Sequence, residues 1–161
     1  MSERGVRADL PLASPPTLCR LENRVDRKAL GQIAEVFVET FIRSQTTVPE
    51  ELILDFDPTN DPVHGNQEKG FFHGYYDPYC FGPLYVFCGS PLLVAYLRPA
   101  NIDGALHRRA LLKLRVQRFR RQWPNGRIIF RGDSGFCRWK LLRWCDKHEG
   151  ATSSVCPAMR C

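Results

Sequence analysis

The chain has 161 residues, the size of one domain by the usual range of roughly 100–200 residues, which excludes a multidomain machine complete in itself. Its 43% hydrophobic and 25% charged residues are typical of a globular protein and exclude wholesale disorder, a collagen-like chain and a coiled coil. Lysine and arginine outnumber aspartate and glutamate by 23 to 17, so the net charge of +6 favours polyanionic partners.

The cysteines and the apolar runs indicate the cellular compartment of the protein. Seven cysteines without a Cys-x-x-Cys pair favour neither a disulfide-stapled secreted domain nor a zinc ribbon. Charged and proline residues stand where a signal peptide needs an apolar stretch, and no run reaches the roughly 18 apolar residues that cross a bilayer. We therefore expect a soluble protein in a reducing cytoplasm, without a membrane partner.

The N-terminal quarter predicts one long helix after an extended segment. Residues 1–17 contain three prolines and no apolar period, which predicts an extended lead-in with a short helical turn near 18–24. From Leu30 to Ile42 the apolar residues recur at helical spacing, and Asp26 precedes them as a candidate N-cap. We expect this helix to pack on a large apolar surface.

The next segment predicts strands and a loop. The apolar run 52–57 is too short for a typical helix and predicts a buried strand that stops at Pro58. Residues 60–79 have no clear period and predict a long ordered loop, which in a compact domain is usually functional. The runs 84–88 and 92–97 flank a tight turn and predict a β-hairpin.

A helix from Leu106 to Trp123 follows, with Asn101 or Asp103 as candidate N-cap. Its polar positions are basic, with no acidic residue in the window. The candidate DNA contacts are Arg108, Arg109, Lys113, Arg115, Arg118, Arg120 and Arg121. These side chains are suited to DNA phosphates, where each contact adds a salt-dependent increment of affinity. The alternative is a solvated surface helix.

The C-terminal part adds one strand and one helix. Residues 127–130 predict a buried strand that runs towards Asp133, and residues 139–145 predict a last helix. The order strand, hairpin, helix, strand, helix predicts a mixed α/β fold in which the crossover helix joins parallel neighbours. Ligands of such sheets bind at the carboxyl ends of the strands, where Asp57 and Asp133 both lie.

Two carboxylates at neighbouring strand ends are suited to Mg²⁺, which takes oxygen ligands and keeps waters or substrate phosphates in its other positions. Paired metal ions of this kind support in-line phosphoryl displacement, the chemistry of nucleases and strand-transfer enzymes. The alternative is that Asp57 and Asp133 only form turns after their strands.

Five stretches of the sequence resemble the group 1 DDE transposases of bacterial insertion sequences. The resemblance covers residues 12–148 in the family's order. Its motifs are LASPPTLCRLENR at 12–24, LDFDPTNDPVHG at 54–65, FFHGYY at 71–76, LRPAN at 97–101 and RGDSGF at 131–136.

This resemblance implies an RNase H-like catalytic core that cuts and joins DNA ends with Mg²⁺, or Mn²⁺, held by two aspartates and one glutamate. By position, Asp57 matches the family's first catalytic aspartate and Asp133 the second. Asp55 is a rival of Asp57 for the first position, because alternation along a strand places both on one face. We favour Asp57 because the Asp-x-Thr pattern includes it.

The resemblance also predicts the domain boundaries. Complete members continue through another strand and a later helix that bears the glutamate, whereas residues 149–161 do not resemble the family. We therefore expect a lead-in at 1–17, a partial transposase domain at 18–148 that is incomplete at its C-terminus, and a non-family tail. Glu149 is too close to Asp133 in the sequence to be the missing ligand.

The function expected is that of a truncated transposase. DNA and transposon ends are its expected partners, with a second copy or an intact transposase as further ones, and the bacterial nucleoid in the cytoplasm as its location. Without the third carboxylate we expect the chain to be inactive alone, which leaves its status as an enzyme open. The alternatives are a remnant that binds DNA or a transposase without chemistry, and a product with a frayed fold.

Two further groups have open assignments. The loop aromatics Phe71, Phe72, Tyr75, Tyr76 and Tyr79 are suited to stacking on unpaired bases, or to packing in the core and within the loop, which we favour. Near the candidate site, Arg98 and Arg131 are suited to phosphate contacts, or to pairing with Asp103 or Asp77.

Overall fold

A computed structural model describes residues 13–147 apart from 66, 69, 75, 76 and 137. The chain divides into two compact units, Met1–Ile33 and Ala34–Cys161. The predicted tail at 149–161, with Glu149, and most of the lead-in lie outside the described residues, so the boundaries expected at 17 and 148 stay predictions.

Four α-helices are described: α1 (Pro15–Glu22), α2 (Arg27–Ser44), α3 (Arg108–Gln122) and α4 (Trp139–Lys147). α1 begins inside the stretch predicted to be extended, because proline fits the first turn of a helix, where its missing N–H leaves no hydrogen bond unmade. Asp26 caps α2 as predicted: its Oδ1 accepts a hydrogen bond from the Ala29 N–H at 2.7 Å.

The N-cap predicted for α3 is wrong. His107 precedes the helix with a φ of 68°, in the left-handed region. Asp103 instead forms a turn before the helix, in which its Oδ1 accepts a hydrogen bond from the Ala105 N–H at 2.9 Å. Such side-chain turns satisfy backbone donors outside a helix as well as at its cap.

The strands form a four-stranded sheet and a small three-stranded one. The first contains β1 (Glu51–Pro58), β5 (Leu84–Cys88), β6 (Leu92–Tyr96) and β7 (Arg127–Gly132) in the order β6-β5-β1-β7. Among neighbouring strands of this sheet, β1 and β7 pair in parallel and the other two pairs are antiparallel. The chain crosses from β6 to β7 through α3, and such a crossover returns the chain in the same direction. The predicted mixed α/β class, a mixed sheet with helices, is confirmed.

The long loop predicted at 60–79 contains short strands. β2 (Asp61–Pro62), β3 (Phe71–Phe72) and β4 (Tyr79–Phe81) pair in the order β2-β4-β3. Strands of two or three residues are too short to show an alternating pattern, so a sequence period could not reveal them.

The core lies on one face of the large sheet. Leu52, Leu54 and Phe56 of β1 are buried, as are Ile128 and Phe130 of β7. Helices cover them with a common set of buried side chains: Val38, Phe41 and Ile42 of α2, Leu112, Val116 and Phe119 of α3, and Leu141 and Cys145 of α4. The expected packing of α2 therefore holds for its C-terminal half, whereas Leu30, Ile33 and Phe37 remain exposed.

Within the described residues, no helix has the length and apolarity needed to span a membrane.

Candidate active site

The carboxyl ends of β1 and β7 bring two of the predicted site residues to neighbouring positions. In the parallel register Asp55 lies opposite Arg131, and Phe56 opposite Gly132. Asp57 is the residue of β1 after Phe56, and Asp133 follows Gly132 directly after the end of β7. The sequence predicted that these strands are adjacent and parallel, and this is confirmed.

Asp57 lies on the sheet face opposite the core. Burial alternates along β1, so that Leu54 and Phe56 are buried while Asp55 and Asp57 share the other face. The Asp57 side chain is exposed and, among the described residues, has no hydrogen-bond or ion-pair partner. Its oxygens are therefore available to an incoming cation.

Asp55 is engaged by Arg131 on the neighbouring strand. The guanidinium Nε and Nη2 of Arg131 donate to the two carboxylate oxygens of Asp55, a bidentate ion pair. The hydrogen bonds to Asp55 raise the pKa of Arg131 above its usual range. This contact distinguishes the two aspartates that strand periodicity left equivalent, and it replaces the pairing of Arg131 with Asp103 or Asp77 suggested from the sequence.

The segment 131–136 packs closely around Asp133. A Cβ at Gly132 would lie 3.2 Å from Cγ of Phe136 and 3.3 Å from Cζ of Phe130, so a side chain here would press on both rings beneath the strand end. A Cβ at Gly135 would lie 3.1 Å from Oδ1 of Asp133. The Asp133 carbonyl accepts from the Phe136 N–H at 3.0 Å, which closes the 3-10 turn Ser134–Phe136. Both glycines therefore make room for a fixed loop that carries an exposed carboxylate.

Arg98 is a structural residue. It is 3% exposed and donates to the carbonyls of Gly82, Gly104 and Leu106 at 2.8, 2.8 and 2.9 Å. Burial lowers the pKa of its guanidinium. These bonds join β6 to the segment before α3, so the phosphate contact and the Asp103 pairing suggested for Arg98 are both replaced by a backbone clamp.

Four of the seven basic residues of α3 make contacts within the protein. Arg115 is buried and donates to Glu35 of α2 at 2.5 Å, and Arg118 forms two bonds to Glu39 at 2.6 and 2.7 Å. Arg108 donates to the Ala105 carbonyl, and Arg120 to the carbonyls of Pro124 and Gly126. The acidic partners of Arg115 and Arg118 lie on α2, 80 and 79 positions earlier, so the sequence window of α3 could not show them.

The other three cations, Arg109, Lys113 and Arg121, are exposed and have no ion-pair partner among the described residues. Arg109, Lys113, Gln117 and Arg121 follow one another at intervals of four, which places them along one side of the helix. We call these four residues the basic ridge. Its three cations are the part of the predicted DNA contact set that remains open to a polyanion.

Three of the loop aromatics are exposed. Phe71, Phe72 and Tyr79 are 38%, 51% and 63% exposed, and the rings of Phe72 and Tyr79 lie 5.7 Å apart edge to face. None of these three is buried in the core, whereas the contact between Phe72 and Tyr79 is the loop packing that the favoured interpretation includes. Tyr75 and Tyr76 lie outside the described residues.

The donor set is compatible with a hydrated divalent metal ion. Among the described residues, no group of three or more histidine, cysteine, aspartate or glutamate side chains is arranged to hold a metal. Two exposed carboxylates at adjacent strand ends are nevertheless the partial oxygen shell that Mg²⁺ accepts, because this ion usually keeps several waters.

Comparison with known proteins gives one family and a few solved structures. The family described as transposase DDE domain, group 1, matches residues 2–155. No curated protein matches the chain. Among solved structures, a Mos1 transposase paired-end complex with the left transposon end is 13% identical over 71% of this chain and 37% of that chain, with a TM-score of 0.40. The catalytic domain of Mos1 mariner transposase is 10% identical over 81% of this chain and 63% of that chain, with a TM-score of 0.43. This chain therefore spans less than two thirds of either structure.

Proposed function

Because the chain belongs to the group 1 DDE-domain transposases, we propose that it carries part of a catalytic site that cuts and joins DNA ends by metal-dependent phosphoryl transfer. The observation that carries this proposal is the placement of Asp57 and Asp133 one register step beyond the Phe56–Gly132 pair of two adjacent parallel strands. Both carboxylates are exposed to an incoming phosphate and its metal ion.

Asp57 and Asp133 would hold Mg²⁺ or Mn²⁺. When bound, such an ion polarises a phosphoryl oxygen and supplies an activated water or hydroxyl. The protein's own part is to hold two negative oxygens at fixed strand ends: the β1–β7 ladder positions Asp57, and the close packing of Gly132 and Gly135 positions Asp133. Because rigid strands and packed turns hold both carboxylates, little reorganisation is needed when metal and phosphate bind.

DNA is the proposed substrate, and transposon ends are its proposed sites of cleavage. The basic ridge supports this, since exposed lysine and arginine side chains bind phosphates without regard to sequence. The net charge of +6 favours approach to a polyanion. Action on DNA would place the protein at the nucleoid in the bacterial cytoplasm.

A third carboxylate would complete the ligand set. The family resemblance assigns it to a glutamate on a later helix, outside residues 13–147. An intact transposase is the proposed partner that would supply it in an assembled complex, and a second copy of the chain is a further proposed partner.

Nicking of supercoiled plasmid in Mg²⁺ or Mn²⁺, together with Mn²⁺ binding by calorimetry, tests this proposal. Asp57→Asn and Asp133→Asn should each weaken Mn²⁺ binding at least about tenfold and abolish any nicking, and chelation with EDTA should do the same for nicking. Glu51→Gln is the matched control, because Glu51 lies at the far end of the same strand, about 20 Å away.

Mn²⁺ binding that is insensitive to both aspartates would overturn the proposed site. Binding of DNA that persists without metal, without nicking and unchanged in Asp133→Asn would favour the alternative of a DNA-binding remnant.

A further inference from the structure

We propose that Arg131 is a positioning residue that withholds Asp55 from the metal site, so that Asp57 and Asp133, and not Asp55, face the metal ion. This inference rests on the proposed function, which it deepens by assigning roles to two residues that the metal chemistry does not use directly.

The geometry places the ion pair directly beside the proposed ligands. Asp55 and Asp57 lie on one face of β1, about 7 Å apart along the strand. Arg131 is the residue opposite Asp55 in the register and lies two positions before Asp133 on the neighbouring strand. Without the guanidinium, the carboxylate of Asp55 would be unpaired on the sheet face that also carries Asp57.

The form of the contact suits this role. Nε and Nη2 of Arg131 each donate a hydrogen bond to one oxygen of Asp55, so both carboxylate oxygens are paired with the guanidinium. A planar guanidinium matches a carboxylate with two parallel bonds, whereas the ammonium of lysine is a mobile point charge that cannot do so. Arg131 therefore takes the place at Asp55 that a cation would otherwise occupy.

The same two strands contain a second ion pair of the same kind at their other end. Arg127 donates to Glu51 at 2.5 Å, and the two residues are opposite each other in the register, four positions before Asp55 and Arg131. Both pairs are exposed and cross from β7 to β1. Because Glu51 and Arg127 lie far from the proposed ligands, this pair separates an effect on the site from a general effect of breaking an ion pair between these strands.

The test is Mn²⁺ binding to the full chain, measured by calorimetry and by the Mn²⁺ electron paramagnetic resonance signal. Arg131→Gln should bind Mn²⁺ at least about threefold more tightly than the wild type, because it frees Asp55 to join the ligands. The double variant Arg131→Gln/Asp55→Asn should lose that gain, and Arg127→Gln should bind as the wild type does. A merely structural role of Arg131 would weaken binding, so the direction of the change is diagnostic.

Absence of tighter binding in folded Arg131→Gln overturns the inference, whatever the affinity of the wild type. Asp55→Asn gives a second and independent check that does not depend on how Arg131→Gln folds. It should not weaken Mn²⁺ binding, and a loss as large as that of Asp57→Asn would make Asp55 a ligand and overturn the inference. Failure of the proposed function is read separately, from Asp57→Asn and Asp133→Asn.

Discussion

The ring of Phe136 packs against the backbone of Gly132, so closely that a Cβ on this glycine would lie 3.2 Å from Cγ of the ring. Phe136 is 1% exposed and its ring centroid lies 6.3 Å from that of Phe56 on the neighbouring strand. Gly132, the residue immediately before the candidate ligand Asp133, is thus held in place by its contact with the buried ring of Phe136.

Gly132→Ala should therefore destabilise the protein by about 1–3 kcal/mol, the usual cost of inserting a methyl group into a packed core. Urea unfolding measures this change. Gly104→Ala is the control, because a Cβ there meets no atom within 4 Å. Equal stability of the two variants would show that the Phe136 ring adjusts freely and that the strand end is not held by this contact.

Arg98 should be essential for stability because it is buried and its guanidinium donates to three backbone carbonyls. Arg98→Met leaves the carbonyls of Gly82, Gly104 and Leu106 without their donor, and a buried polar group that loses its partner costs about 1–3 kcal/mol. We expect a loss of at least about 2 kcal/mol in thermal or urea unfolding. Arg143→Met changes an exposed arginine of α4 and should have little effect. An Arg98→Met variant as stable as Arg143→Met would contradict the clamp.

The Glu39–Arg118 pair predicts a pH dependence. The hydrogen bond from Arg118 lowers the pKa of Glu39 below its ordinary value of 4.5. A carboxylate with a depressed pKa stabilises the fold above its unfolded pKa, and this contribution is lost as the pH falls through the folded pKa. Because Glu39 is partly exposed, the contribution is about 1 kcal/mol or less.

Glu39→Gln should accordingly be less stable than the wild type at pH 7, and the difference should shrink below pH 4.5. Urea unfolding over a pH series is the measurement, with Glu50→Gln, an exposed glutamate before β1, as the control. A stability difference that is constant from pH 7 to pH 3 would mean that the pair contributes through packing and not through charge.

The basic ridge predicts a change in the salt dependence of DNA binding. Each phosphate contact lowers the slope of log K against log salt by about 0.9. Replacing Arg109, Lys113 and Arg121 together by alanine should therefore reduce the magnitude of the slope by about 2 to 3, in a fluorescence anisotropy titration with duplex DNA.

A matched variant replaces Lys140, Arg143 and Lys147 of α4, which removes the same charge from another helix. If both triple variants lose the same salt dependence, net charge governs binding and the ridge is not the contact surface.

Much of the architecture follows from local patterns. The helical spacing from Leu30 to Ile42 and the Asp26 cap predicted α2, and the apolar run before Asp57 predicted β1. The hairpin and the parallel β1–β7 pair followed from turn residues and from the length of the crossover. These features depend on neighbours in the sequence, which is why periodicity and turn chemistry reveal them.

The short strands of the 60–79 loop and the left-handed His107 before α3 were not predicted. Both depend on contacts between segments that have no repeating pattern of their own. The exposure of Phe71, Phe72 and Tyr79 was likewise not predicted from residue type. Aromatic side chains are usually buried, but the packing of the surrounding segments determines whether a particular one is.

By itself, the sequence determined the family motifs, the mixed α/β order and the placement of Asp57 and Asp133 at the ends of the first and last predicted strands. Only the tertiary structure decided which charges are free, since Asp55 meets Arg131 across 76 positions and Arg118 meets Glu39 across 79. The physical reason is that an ion pair depends on distance in space, and a sequence pattern reports only distance along the chain.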